Sequence, residues 1–497
     1  MRTKRLKYTV LTSIIYQFTA IICGFILPRI ILKKYSSDVN GLVNSITSFL
    51  NIITFLDLGV GTVVCSSLYE PLAKKDNEEV SKIYKSATRY FKNIGRVLLV
   101  YMLIIPFFFI LTPNYSFSFI FTLTLVISMG LSLFSQYYFG IVNRLLITAD
   151  QKEYIQYALQ TITLLITTIV CTILMLNDAS IQFVKLVTSL IFLIRPIFLT
   201  IYVRKNYDLD LNIEYDKEPI KQKWNGVYQH LSAVILDSTD TVILTIFSTL
   251  ANVSIYSVYF LVIHGVRQLI QSMFTGFQSY FGNIIAFHED DKLKESFKNS
   301  EFIIHLLSIL VFGCTLILIT PFVQIYTKEI TDANYIQPLF GMILVIAHLF
   351  YCLRIPYHLL VKANGHYKET QKSYIIATFL NICISIIFVK FLGLVGVAIG
   401  TLIAMAYQTF WMAKYCYYKI LDFQMKDFFK LMIYDLISII FCIIMSSFIK
   451  INELTYYNFI LLSIIVLFIV FVFISILSFI FYKKMILKLL KKVRRKK

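Results

Sequence analysis

Residues 461–481 read LLSIIVLFIVFVFISILSFIF, an unbroken apolar run as long as a lipid bilayer core is thick. A hydrocarbon layer about 30 Å thick takes about 20 apolar residues of α-helix. Runs of this kind follow one another along the chain, separated by short polar breaks. Fourteen can be placed, centred near Phe18, Thr54, Val100, Ile127, Leu165, Ile191, Val242, Leu269, Ser308, Val345, Asn381, Ala404, Leu436 and Leu467. None alternates with period two, so a closed β-barrel, the other fold that satisfies its own backbone in lipid, is not indicated. With 58% hydrophobic and 16% aromatic residues, the expected class is an all-α polytopic membrane protein.

The basic residues test that count, because Lys and Arg favour cytoplasmic loops. With the N-terminus inside, 37 of the 47 fall in the N-terminal segment, the inner loops and the tail KKMILKLLKKVRRKK. The outer breaks hold six, at Lys33, Lys34, Lys185, Lys328, Lys390 and Lys450, and four arginines lie inside spans. Both termini are therefore expected in the cytoplasm, and the first span is expected to be retained rather than cleaved as a signal peptide. The net charge of +19 is explained by an anionic lipid surface, without a nucleic acid. The eight cysteines are scattered singly, with no metal-ligand or disulfide spacing.

Sliding the chain against itself by 214 positions sets LITAD at 146–150 over LVKAN at 360–364, Val39 over Val253, Asp76 over Asp290 and Ser86 over Ser300. A repeat of six spans returns the chain to its starting side, so the two units run parallel and are expected to flank a cleft. The expected domains are residues 1–213 and 214–427 as six-helix bundles, 428–482 as two added helices, and 483–497 as a basic tail.

Polar residues inside the spans mark where water or a ligand is expected. In span two, Asn40, Asn44, Thr47, Asn51, Thr54 and Asp57 recur every three or four positions, one helical stripe. Span eight carries His264, Arg267, Gln268, Gln271, Thr275 and Gln278, and Gln271 is the repeat counterpart of Asp57. Span seven adds Asp237 and Asp240, and Arg29, Arg195 and Arg354 lie in spans one, six and ten. Arginine grips phosphate bidentately, so the set Arg29, Asn51, Asp57, Arg195, Asp237, Asp240, His264, Arg267, Gln268, Gln271 and Arg354 is the expected cavity for an anionic, hydrogen-bonding cargo. The competing reading pairs each intramembrane charge with another simply to hold helices together. Gly59 and Gly61 read as sites of close helix packing, and residues 70–92 as an amphipathic helix on the membrane surface. No nucleotide-binding loop, zinc motif or catalytic triad stands on a plausible loop, so no enzyme is expected. No cofactor is expected beyond coupling to a proton or sodium gradient.

The segment LPRIILKKYSSDVNGLVNSITSFLNIITFLDLGVGTVVCSSLYEPLAKKD resembles the start of bacterial polysaccharide flippases of the Wzx type, in the multidrug/oligosaccharidyl-lipid/polysaccharide exporter superfamily. The resemblance implies a V-shaped alternating-access carrier. It would turn undecaprenyl-pyrophosphate-linked oligosaccharide across the bacterial cytoplasmic membrane for capsule, exopolysaccharide or O-antigen assembly. The implied partners are that glycan, membrane lipid, a polysaccharide polymerase and glycosyltransferases. Lipid II flippases of the superfamily use clustered arginines in the first bundle, where only Arg29 approaches that place. A cation-coupled multidrug exporter, with Asp57, Asp237 and Asp240 as ion sites, is the alternative. A structural scaffold for a polysaccharide-synthesis complex is the third reading, and it leaves the intramembrane charges unexplained.

Overall fold

The computed structural model describes residues 2–57, 59–113, 115–214, 238–274, 276–449 and 453–494, and among them every regular element is helical. Among the described residues twelve helices are long and apolar enough to cross a bilayer. Of the two remaining expected spans, span two is broken, and the part of span seven that lies among the described residues forms α9, Ser238–Phe247. Large apolar side chains point outward, with Ile110 66% and Phe391 79% exposed, a surface that only lipid would cover. The chain is a multi-pass membrane protein.

Two compact units divide it, Met1–Ser254 and Ile255–Lys497. The first holds α1 (Arg2–Lys34), α2 (Ser37–Ile52), α3 (Val60–Lys74), α4 (Asn77–Phe109), α5 (Phe119–Ser135), α6 (Ile141–Ala149), α7 (Glu153–Leu176), α8 (Ile181–Asn206) and α9, and α10 (Leu250–Phe274) starts near its end. The second holds α11 (Gly276–Ala286), α12 (Asp290–Tyr326), α13 (Pro338–Leu353), α14 (Ile355–Ala363), α15 (Tyr367–Leu392), α16 (Leu394–Tyr415), α17 (Met425–Phe448) and α18 (Tyr456–Arg494). The repeat is visible in the helix ends. α6 spans 141–149 and α14 spans 355–363, while α7 starts at 153 and α15 at 367, each displaced by 214 residues.

The break in span two follows from its sequence. After α2 the chain tightens into a 3-10 turn, Ile53–Asp57, and Gly59 takes φ 73°, the left-handed region that favours glycine. Gly59 is thus a turn residue rather than a packing residue. Carbonyls freed at such a break need donors inside the protein. The Tyr90 hydroxyl donates to the Leu56 carbonyl at 2.7 Å and that of Tyr101 to Phe49 at 2.9 Å. Asp57 Oδ1 accepts from the Gly61 amide at 3.1 Å and caps the first turn of α3. A methyl at Gly61 would lie in ordinary contact, 3.6 Å from Asp57 Oδ2, so the amide of this residue and not its small size is what the cap uses.

Residues 70–92 do not form a separate surface helix. Lys75 at φ 58° ends α3, Asp76 accepts from the Glu79 amide at 3.0 Å, and α4 then runs unbroken to Phe109. Its buried face, which includes Val80, Ile83, Ala87, Phe91, Ile94 and Leu98, recurs every three or four residues along the whole helix. The polar start of α4 is fastened to the chain after α8, where Lys85 reaches the Ile213 carbonyl at 2.7 Å and the Asp210 amide reaches Ser81 at 3.0 Å.

In the second unit, α15 and α16 pack through Gly396 and Gly400, a small-x-x-x-small spacing that lets backbones approach. A methyl on Gly396 would lie 2.3 Å from the Phe388 carbonyl oxygen, and one on Gly400 2.1 Å from Ser385 Oγ. Replacing Gly396 by alanine is expected to destabilise the protein by about 1–3 kcal/mol through overpacking. Gly282→Ala, where nothing lies within 4 Å, is expected to leave the melting temperature of the detergent-solubilised protein near that of the unmodified chain. Equal melting temperatures for both variants would refute this account of the packing.

Candidate functional site

The first unit encloses a cavity of about 340 Å³, within the range of small-molecule sites. Its walls come from α2, α5, α6, α7, α8 and the π-helical turn Gln136–Gly140 between α5 and α6. On α8 the lining residues Lys185, Thr188, Ser189, Phe192, Arg195 and Leu199 recur at three- and four-residue steps, so a single helical face makes one wall. α6 contributes Arg144, α7 contributes Gln156 and Gln160, and α2 contributes Thr47 and Asn51. Three of the lining residues are cationic and none is Asp or Glu.

The cationic groups sit on a built scaffold. Arg195 Nε donates to Thr163 Oγ1 at 2.6 Å, a terminal nitrogen reaches the Gln160 carbonyl at 3.4 Å, and the guanidinium lies 4.2 Å over the Phe192 ring. A guanidinium carries five N–H donors, so this anchoring sets its plane and leaves further donors for a ligand. Arg144 follows Asn143, whose amide nitrogen donates to Thr200 at 2.9 Å and whose oxygen accepts from the Tyr84 hydroxyl at 2.8 Å. Asn143 ties α4, α6 and α8 together beside Arg144. The π-turn widens the helix locally, as such turns do at functional sites. It presents Gln136 to the cavity, and Gly140 packs where a methyl would lie 3.0 Å from Pro196 Cβ.

Of the residues expected from sequence, Asn51 and Arg195 line this cavity, and Arg144 and Lys185 join them. Lys185, assigned above to an outer loop, lies on α8. Hydropathy placed it beyond the span because it sits within the first turns of the helix, and Arg144 was read as part of an inner loop. The i, i+3, i+4 spacing of Lys185, Thr188, Phe192 and Arg195 is the signal that could have found the wall. Arg29, half-buried on α1, Asp57, and Asp240, buried on α9, lie outside the lining. Asp237 lies outside the described residues. The polar stripe of span two is divided by the helix break: Asn40 is buried against Ser254 Oγ at 2.7 Å, while Thr47 and Asn51 reach the cavity.

The second unit gathers a different set. Arg267 and Arg354 are both buried, and their guanidinium groups lie 4.7 and 4.8 Å from the centre of the same Tyr351 ring. Arg354 also donates to Gln408. His264 and Gln268 contact each other at 3.4 Å, and Gln268 and Gln271 are exposed. Among the described residues no group of three His, Cys, Asp or Glu side chains could hold a metal ion.

No protein-family signature and no curated protein sequence matches the chain. Solved structures do resemble it. The lipid II flippase MurJ in an inward closed conformation superposes with a TM-score of 0.68 at 18% identity, covering 96% of this chain and 100% of that one. An inward-facing multidrug-resistance MATE transporter of the MOP superfamily gives 0.61 at 15% identity over 83% of this chain and 98% of its own. The eukaryotic MATE transporter AtDTX14 gives 0.59 at 11% identity, covering 83% and 95%. The chain therefore has the fold of MOP-superfamily transporters.

The anchoring of Arg195 is open to test. Thr163→Val removes its Nε partner. It is expected to weaken binding of inorganic pyrophosphate, used as an anionic probe of the cavity, several-fold, by about 1 kcal/mol for one hydrogen bond, with the melting temperature nearly unchanged. Unaltered binding would mean that Thr163 does not orient the guanidinium.

Proposed function

We propose that the chain is a flippase that turns polyprenyl-pyrophosphate-linked glycan across the bacterial cytoplasmic membrane, with undecaprenyl-pyrophosphate oligosaccharide as its cargo. The observation that carries this reading is the cavity of the first unit: Arg144, Lys185 and Arg195 line it beside amides and hydroxyls, with no acidic residue in the lining. A pyrophosphate matches three cations, and sugar hydroxyls match Asn51, Gln136, Gln156, Gln160, Thr47 and Thr188. A cavity of that sign disfavours cationic drugs and so weighs against a multidrug exporter. The carrier would draw on an ion gradient, and its N- and C-termini would lie in the cytoplasm beside the anionic inner leaflet.

The cluster of cations in the first unit also brings lipid II forward as cargo, since its headgroup carries the same pyrophosphate. MurJ, the lipid II flippase in the comparison, overlays 96% of this chain. Lipid II and other glycan carriers share the chemistry that the cavity would recognise.

Deleting the gene and analysing lipid-linked intermediates separates these cargoes. Accumulated undecaprenyl oligosaccharide with loss of surface polysaccharide identifies a polysaccharide unit. Accumulated lipid II with arrested peptidoglycan identifies lipid II. Unchanged intermediates with altered drug sensitivity would overturn the flippase reading. In a complementation assay, Arg195→Ala and Arg144→Ala are expected to lower polymer output about tenfold or more at equal membrane abundance. Arg195→Lys is expected to restore only part of it, because an ammonium cannot reproduce the planar fork.

A further inference from the structure

The second unit holds a buried set of ionisable groups that the cargo site does not use. Glu301 and His305 lie one turn apart on α12, 4% and 0% exposed, and Asp435 on α17 is 0% exposed. His305 Nδ1 is 2.7 Å from Asp435 Oδ2. Glu301 accepts from the Tyr357 hydroxyl at 2.7 Å and from the Tyr417 hydroxyl at 3.0 Å. Asp435 Oδ1 and Ser308 Oγ, also buried here, make no hydrogen bond among the described residues. His305 Nε2 makes none of ordinary geometry, although the Leu353 carbonyl acts on the ring from the end of α13.

We infer that Glu301, His305 and Asp435 form a proton-binding site that fastens α17 to α12 and releases a proton when that contact opens. The argument is one of charge. With a single proton on the imidazole the set carries a net charge of −1; with a second proton, on a carboxyl, it is neutral. An uncompensated charge in an apolar interior is strongly disfavoured, so the closed contact holds two protons. Among the described residues the surrounding elements supply no free cation to replace one of them. Lys298, less than a turn before Glu301 on α12, is turned to the surface and bonded to Asp427 at 2.9 Å, and Lys430 of α17 lies over the Tyr482 ring of α18 at 5.0 Å. The other titratable neighbours, the phenols of Tyr434 and Tyr482 and the Cys416 thiol, are neutral. The ligand is a proton and not a metal ion, because no group of three metal-ligating side chains is assembled among the described residues.

The site is placed to act on the added helix pair. Tyr434, next to Asp435, meets Ser478 of α18 at 2.9 Å, and the Phe441 and Phe473 rings stack at 3.7 Å between the two helices. Tyr482, which lies 4.8 Å from the Phe302 ring, has the non-helical angles φ −133° and ψ 28° and marks a kink in α18 beside the site. The exposed Lys298–Asp427 pair lies within a turn of Glu301, so the site is close in sequence to the surface of the unit. The proton site stands independently of which cargo the first unit carries.

Two measurements on the full-length protein in lipid nanodiscs test it. Infrared difference spectra between mildly acidic and mildly alkaline buffer should show a protonated carboxyl band at neutral pH, lost on alkalinisation and removed by Glu301→Gln or Asp435→Asn. Absence of any such band sensitive to either substitution would overturn the proposal. Cys442 of α17, buried against Gly313 of α12, then reports opening by its maleimide labelling, read by peptide mass spectrometry. The labelling rate of the unmodified protein divided by that of Asp435→Asn cancels the titration of the thiol itself. This ratio should rise about tenfold per pH unit where one proton leaves on opening. A ratio flat with pH would show the contact to be purely structural. If Asp435→Asn does not fold, the infrared spectra of the unmodified chain and of Glu301→Gln decide alone.

Discussion

In a hydrocarbon layer a backbone amide or carbonyl has no water to turn to, and this structure is organised around the places where that demand is hardest to meet. Span two gives up helical bonds at Ile53–Asp57, and Tyr90, Tyr101 and Asp57 supply the partners. Span four relaxes into a π-turn at Gln136–Gly140, and span ten is interrupted at Arg354, between α13 and α14. Up to its kink at Tyr482, α18 presents mostly outward-facing apolar surface. A break both exposes backbone dipoles and redirects the side chains that follow it, whereas α8 and α12 carry their polar groups on one face of a continuous helix.

The cavity of the first unit shows how a cationic wall is tolerated in such a setting. Arg195 spends donors on Thr163 and the Gln160 carbonyl and rests on an aromatic ring, so part of its desolvation is offset without any carboxylate. An acid at the same place would neutralise the wall and compete with an anionic ligand. The absence of Asp and Glu from the lining is thus what gives the cavity a sign.

The approximate span count and the repeat were legible in the sequence, because hydropathy and a constant offset of 214 survive low identity, whereas the charged start of α4 was read as a separate surface helix. Of the residues that line the cavity, Asn51 was picked out as a polar residue at helical spacing and Arg195 as an arginine inside a span. Lys185 and Arg144 were not, since a hydropathy window ends a span at its first charged residue, whereas a lysine near a helix end can point inward. Asp57 was expected to face a cavity because a continuous stripe was assumed. The glycine two residues later turns the chain, and the acid becomes a cap for α3. Glu301, His305 and Asp435 escaped notice because their partners lie far apart in sequence, joined only when α17 packs on α12.

The repeat offset explains why the two units differ in chemistry while sharing a scaffold. Gly140, whose small size lets α8 approach the π-turn, corresponds to Arg354, whose side chain lies buried against Gln408 and the Tyr351 ring. Arg144 corresponds to His358 and Gln160 to Tyr374, and these two counterparts hydrogen-bond each other. Thr409 stands in the place of Arg195 and donates to the Phe350 carbonyl at 2.8 Å. Positions that line an open cationic cavity in the first unit are thus occupied in the second by side chains that satisfy one another. Mutual hydrogen bonding there converts the same positions into packing, which leaves that unit free to take a separate role built on α12 and the added helices.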